Sequence, residues 1–188
     1  MSQPPLITRS GRTASQQPGE LRPFIGLLLM EGVKSYLEIG ARHGDTFYEV
    51  VRQLPKGSRA VAVDLPMGPW GSDSRSALEE CVAELCRMGY DASAVFGDSQ
   101  SVCVGKFDAV LIDADHRYEA VKADWLRFRS RITAFHDIDG EGIKLRDMEI
   151  GVPRLWKELR TLYPHVEFIE PSDDRRMGIG ALWPFGLR

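Results

Sequence analysis

The stretch SYLEIGARHGDT, Ser35 to Thr46, decides the fold. An apolar run, Tyr36, Leu37 and Ile39, carries one carboxylate, Glu38, and closes at Gly40. Five residues on, Phe47, Val50, Val51 and Leu54 recur at helical spacing until Pro55 and Gly57 end the pattern. A short apolar strand, a glycine turn and an amphipathic helix form the opening unit of an α/β sheet.

The same unit recurs outward from there. RAVAVD (Arg59–Asp64), ASAVFGD (Ala92–Asp98), FDAVLID (Phe107–Asp113) and RITAFHD (Arg131–Asp137) read as four further strands. Helical stripes separate most of them: Leu78, Cys81, Val82 and Leu85, then Tyr118, Val121, Trp125 and Phe128. Leu155, Trp156, Leu159, Leu162 and Tyr163 give one more helix before Pro164. Strands this continuously apolar are buried on both faces, which predicts a parallel sheet covered by helices. VEFIE and MGIGALW close the chain with no helix between them, so they should pair as an antiparallel hairpin at one edge.

Composition bounds the rest. The 188 residues suit one domain, and 43% hydrophobic with 27% charged residues is ordinary for a folded protein. A net charge of −3 with no Lys/Arg block argues against a nucleic-acid surface. The longest apolar run, Phe24–Met30, is too short for a bilayer span. Three cysteines without CxxC spacing fit a reducing cytoplasm better than a disulfide or zinc framework. Residues 1–20 read as a flexible N-terminal tail, and 21–188 as the folded domain.

All five parallel strands end in acid or carry it at the rim: Glu38, Asp64, Asp98, Asp113 and the pair His136–Asp137. Ligands of open parallel sheets bind outside the carboxyl ends of the strands. Gly40 and Gly44 bracket the first turn, but Arg42 stands where a dinucleotide fingerprint needs glycine. Glu38 beside that turn repels a pyrophosphate and suits a cation. S-adenosylmethionine (SAM) is such a cation, with a sulfonium and an ammonium group. Asp64 is placed to accept from both ribose hydroxyls, and Asp98 to meet the adenine amino group. Glu38, Gly40, Arg42, Gly44, Asp64, Asp98 and Asp113 are therefore the candidate cofactor residues. Asp113 has a plainer alternative as cap of the helix starting near Arg117, a role for which Asp115 is better placed.

With these motifs, together with VLIDADHRYEAVKAD, FHD and GVPRLWKEL, the chain resembles the class I SAM-dependent methyltransferases over about residues 21–185. The last three motifs resemble the metal-dependent branch, which holds macrolide sugar O-methyltransferases and cephalosporin hydroxylase-like proteins. The resemblance implies a Rossmann-like, doubly wound, seven-stranded sheet with an antiparallel C-terminal strand. It implies a divalent metal, most often Mg2+, with Asp113 and Asp137 on ligand positions. His136 falls where the macrolide enzymes carry an acidic ligand, and His116 falls on their general base. If the strand persisted through Asp137, His136 and Asp137 would point to opposite faces. The metal set is thus Asp113, His136 and Asp137, and the catalytic pair His116 and Asp113.

Two hard oxygens with open water positions suit magnesium, and a histidine among them favours iron or manganese. The expected reaction is metal-assisted O-methylation of a small hydroxylated molecule. A SAM-binding protein without turnover and a metal-dependent oxygenase are the alternatives. No nucleic acid or membrane partner is expected, and a homo-oligomer is compatible with the sequence. Trp70 is a candidate cover for the adenosine, His43 is expected to face solvent, and Lys144 or Arg146 can meet an anionic acceptor.

Overall fold

The computed structural model describes residues 16–68, 74–140, 144–145, 148–170 and 177–186, with backbone alone at 144–145 and 148–149. In chain order the elements are α1 (Pro18–Met30), β1 (Ser35–Ile39), α2 (Asp45–Val51), β2 (Arg59–Asp64), α3 (Arg75–Arg87), β3 (Asp91–Phe96) and β4 (Ala109–Ile112). They continue with α4 (Tyr118–Phe128), β5 (Ile132–His136), the short strands β6 (Lys144–Leu145) and β7 (Met148–Glu149), α5 (Val152–Leu159), β8 (His165–Phe168) and β9 (Ile179–Leu182).

Seven strands form one sheet in the order β3-β2-β1-β4-β5-β9-β8, while β6 and β7 pair separately. The first five are parallel, and β9 runs antiparallel to both β5 and β8. The chain winds outward from β1 to β3 and then crosses back to lay β4 against β1. That reversal opens a crevice between the carboxyl ends of β1 and β4.

Alternation along each strand divides the core in two. Tyr36, Ala60, Ala62, Leu111 and Ala134 face a cluster with α1, α2 and α3, whose Phe24, Phe47 and Leu78 are fully buried. Leu37, Ile39, Val61, Val63, Val110 and Phe135 face the other side, against Trp125 and Phe128 of α4 and Trp156 of α5. Successive residues thus bury on opposite faces, as a two-side-covered parallel sheet requires.

The small residues of the second cluster are placed for its largest. Trp156 packs over Gly180 of β9, where an added Cβ would overlap the indole. Its Nε1 donates to Glu167 Oε1 at 2.6 Å, and its ring tilts against Phe135 with centroids 6.1 Å apart.

Two boundaries differ from the sequence reading. Pro18–Glu20 belong to α1 rather than to a tail, because Pro18 starts the helix and Gln17 with Glu20 form a capping box. The helical stripe to Tyr163 is shorter than its periodicity suggests. α5 stops at Leu159, and Leu162 is exposed. Among the described residues, no helix is long and apolar enough to cross a membrane.

Trp156→Ala should cost about 3–5 kcal/mol of stability, the scale for truncating a buried aromatic. Urea unfolding followed by near-UV circular dichroism measures it.

Candidate functional site

A cleft of about 680 Å³ opens at the β1/β4 crossover. Its lining includes Glu38, Gly40, Arg42, Asp64, Asp98, Asp113, His116, His136 and Asp137. Each cofactor, metal and catalytic candidate named from sequence, except Gly44 just behind the turn, therefore reaches one cavity.

The first turn is built by backbone conformation. Gly40 has φ +91°, and a Cβ there would overlap the carbonyl of Asp113. Gly44, at φ +84°, starts α2, and a Cβ there would press on Leu78 and Cys81 of α3. Both glycines thus have a steric reason beyond the turn itself. Arg42 also takes positive φ, and its N–H donates to Asp64 Oδ1 at 2.9 Å. The Ser74 hydroxyl donates to Asp64 Oδ2 at 2.6 Å. Asp64 is therefore oriented from both sides at the end of β2, with lone pairs left for further donors.

Glu38 is a buried carboxylate. The Tyr36 hydroxyl, two residues away on the same face, donates to it at 2.7 Å. Burial pushes its pKa up to about 8, and Asp113 and Asp64 add to the rise against the lowering effect of Tyr36.

Asp98 is exposed at the cleft rim and accepts from the backbone N–H of Gln100 at 2.9 Å. Beside it stands a carboxylate that the sequence reading missed. Asp124 of α4 is buried, and one oxygen accepts from the Ser99 hydroxyl and from Gln100 Nε2, each at 2.6 Å. Burial raises its pKa despite those bonds. Its signal in the sequence was an acid flanking the apolar stripe of Val121 and Trp125.

The acid–histidine cluster sits across the cleft. Asp115 accepts from the Arg117 N–H and pairs with its guanidinium, so Asp113 is not needed at the start of α4. β5 ends at His136, and Asp137 has φ +64°. The strand does not persist, and both side chains turn into the same cleft instead of to opposite faces. Asp137 Oδ2 lies 2.8 Å from His116 Nδ1. Its Oδ1 lies 2.9 Å from His136 Nδ1 but forms no hydrogen bond, although it is buried. Asp113 Oδ1 lies 3.5 Å from the same nitrogen. Asp113, His116 and Asp137 offer ligand atoms that all fall within 4.8 Å of one another.

Mutual attraction sets the charges here. Burial works against an imidazolium at His136, yet Asp113 and Asp137 hold its pKa well above the usual value. His116 is raised in the same way, burial being outweighed by the Asp137 hydrogen bond and by Asp113. Burial alone would raise Asp137, but the two histidines hold it well below the usual carboxylate range.

Helix α1 and the segment leading into it supply two residues that the tail assignment hid. Gln16 is buried; its Nε2 donates to Asp113 Oδ2 at 2.8 Å, and its Oε1 accepts from the Thr46 hydroxyl. Glu20 is buried and approaches His136 Nε2 at 3.1 Å. The capping-box pattern QPGE was the available signal. His43 is half-buried on the cleft wall rather than simply facing solvent. Trp70 and Arg146, and the side chain of Lys144, lie outside the described residues.

No family model matches the chain. No curated protein matches it either. Solved structures do. An O-methyltransferase from Bacillus cereus, in complex with S-adenosylhomocysteine (SAH), superposes with a TM-score of 0.65 at 17% identity, over 90% of this chain and 82% of that one. The O-methyltransferase TomG of tomaymycin synthesis from Streptomyces achromogenes, in complex with SAM, gives 0.62 at 15%, over 90% and 81%. An SAH-bound methyltransferase from Podospora anserina gives 0.58 at 16%, over 87% and 77%. The chain has the Rossmann-like methyltransferase fold.

Glu38 generates a pH dependence whose sign is fixed. A carboxyl raised from 4.5 to about 8 binds its proton more tightly folded than unfolded. Stability contributed by Glu38 is present below pH 4.5 and falls as pH rises through about 8, by up to about 1.4 kcal/mol per pH unit. His116 and His136 act in the same direction, so the comparison needed is with Glu38→Gln. Urea midpoints of the ligand-free proteins at pH 6, 7 and 8 should fall less steeply for the variant. Separately, Asp64→Ala should weaken SAM binding by about 1–3 kcal/mol in calorimetry, the scale for losing a partner of a buried polar group.

Proposed function

We propose that the protein is a SAM-dependent O-methyltransferase acting, with a divalent metal ion, on a small hydroxylated acceptor. One observation carries this reading: Glu38, Asp64, Asp113 and Asp137 line a single cleft at the crossover, with His116 held 2.8 Å from Asp137. Such a rim attracts a positively charged donor and a cation together. The structural neighbours bound to SAM or SAH support the cofactor, and two of them being O-methyltransferases supports methyl transfer to oxygen.

The donor set fits a metal ion. Asp113 and Asp137 provide hard oxygens, and the buried Asp137 Oδ1 lacks any hydrogen bond. A buried carboxylate oxygen without a donor is costly, and a cation relieves that cost. When bound, SAM supplies the methyl group, and the divalent ion lowers the pKa of an acceptor hydroxyl.

The chain's own residues do the remaining work. Asp64, held by Arg42 N–H and Ser74, orients the ribose, while Asp98 stands at the adenine end. Glu38 and Asp113 flank the first turn and counter the charge of the methionine portion. Asp137 fixes the His116 ring through Nδ1. Once Asp113 and Asp137 are neutralised, His116 loses the field that raises its pKa and becomes able to take a hydroxyl proton near neutrality. Positioning and charge placement supply most of the acceleration.

The test is SAH release by the purified protein over catechol and sugar acceptors, with Mg2+ or Mn2+ and with chelator. Asp137→Asn should lower turnover about 100-fold while SAM affinity stays within about twofold, since it removes a metal ligand. Full turnover in chelator removes the metal from the reading. SAM binding without transfer to any acceptor favours a sensor of the same fold.

A further inference from the structure

Glu20 lies at the first turn of α1, remote in sequence from every strand end, yet it is buried at the metal-side wall of the cleft. A helix cap needs only one of its contacts, the Gln17 N–H donating to Oε1 at 2.7 Å. The others point inward. Oε2 accepts from the Gly178 N–H at 2.8 Å, and Oε1 lies 3.1 Å from His136 Nε2. A carboxylate fixed by two backbone amides and set against Nε2 determines how the ring stands. It turns Nδ1 toward Asp137 Oδ1 at 2.9 Å and Asp113 Oδ1 at 3.5 Å.

Both distances from His136 Nδ1 are those expected between neighbouring ligands of one ion. Ligand bonds of about 2.1 Å place neighbouring donors roughly 3.0 Å apart at right angles and roughly 3.4 Å apart at tetrahedral angles. The independent sign of a ligand is Asp137 Oδ1 itself, buried and with no partner beyond its ion pair to the His136 ring. An imidazole directed onto two carboxylates by a third is the arrangement that orients metal-binding histidines and strengthens them as donors.

We propose that Glu20 is a positioning residue that presents His136 Nδ1 as a nitrogen ligand, so that the Asp113–Asp137 site selects an imidazole-binding dication, of the Mn2+, Fe2+ or Co2+ kind, over Mg2+. This rests on the metal reading above and adds to it the residue that orients His136 as a donor and thereby sets the choice of ion. Imidazole suits first-row transition ions, whereas magnesium holds carboxylates and water and gives up its waters reluctantly. His116 stays outside the set, tied through Nδ1 to the other oxygen of Asp137.

The experiment uses the full chain after chelator treatment. Co2+ is titrated while its visible d–d absorption is recorded, and Mg2+ is titrated by calorimetry. Wild type should bind Co2+ more tightly than Mg2+. His136→Ala and Glu20→Gln should each weaken Co2+ about 10- to 100-fold and change the absorption bands. Their Mg2+ affinity should stay within about twofold. His116→Ala should leave the bands in place. Pulsed EPR of Mn2+ on the His116→Ala protein should show coupling to a ring ¹⁴N, which tests the ligand even if Glu20→Gln does not fold. Equal Mg2+ and Co2+ affinities, unchanged bands in His136→Ala, or absent ¹⁴N coupling overturn the proposal. Failure of every ion to bind overturns the metal reading itself.

Discussion

Everything at this site answers to one constraint: several carboxylates are taken out of water at one rim of a parallel sheet. Like charges in a medium of low polarity repel strongly, and each must be neutralised or paired. The chain uses a different device for each. Glu38 accepts from the Tyr36 hydroxyl, and burial pushes its pKa up to about 8. Asp64 accepts from a backbone N–H and from Ser74. Asp137 stands between two imidazoles, and Glu20 between two backbone amides and a third ring nitrogen contact. What these devices leave over is a single cleft lined by carboxylates.

The fold makes that crowding possible. The crossover between β1 and β4 brings Glu38 and Asp113 to neighbouring strand ends, in register at Ile39 and Ile112. Gly40 lets the first turn lie directly on the Asp113 backbone. The break in β5 at Asp137 turns a strand terminus into a two-residue claw. None of this uses long loops; the two apolar clusters hold the sheet rigid from both sides, and the rim inherits that rigidity.

Much of this was legible in the chain itself, because period-2 and period-3.6 patterns report which side faces the core. The seven strands, the reversed final strand and the acidic rim all follow from local pattern plus the rule that ligands sit beyond parallel strand ends. What was hidden depended on tertiary approach. Pro18–Glu20 read as tail because polar residues flank them, and only the packing of α1 against β8 and β9 brings Glu20 to His136 and into the site. Asp124 looked like surface charge beside a buried stripe. The orientation of His136 could not be read from alternation, since Asp137 leaves the extended region at that point.

The Glu20–Gly178 hydrogen bond joins residues 158 positions apart. Glu20 of α1 therefore finds this amide only once the segment entering β9 is in place. Contacts of such sequence separation form late, after loop-closure entropy has been met by the rest of the sheet. Closure of this wall of the pocket is thus coupled to formation of the β8–β9 hairpin at the far edge of the sheet.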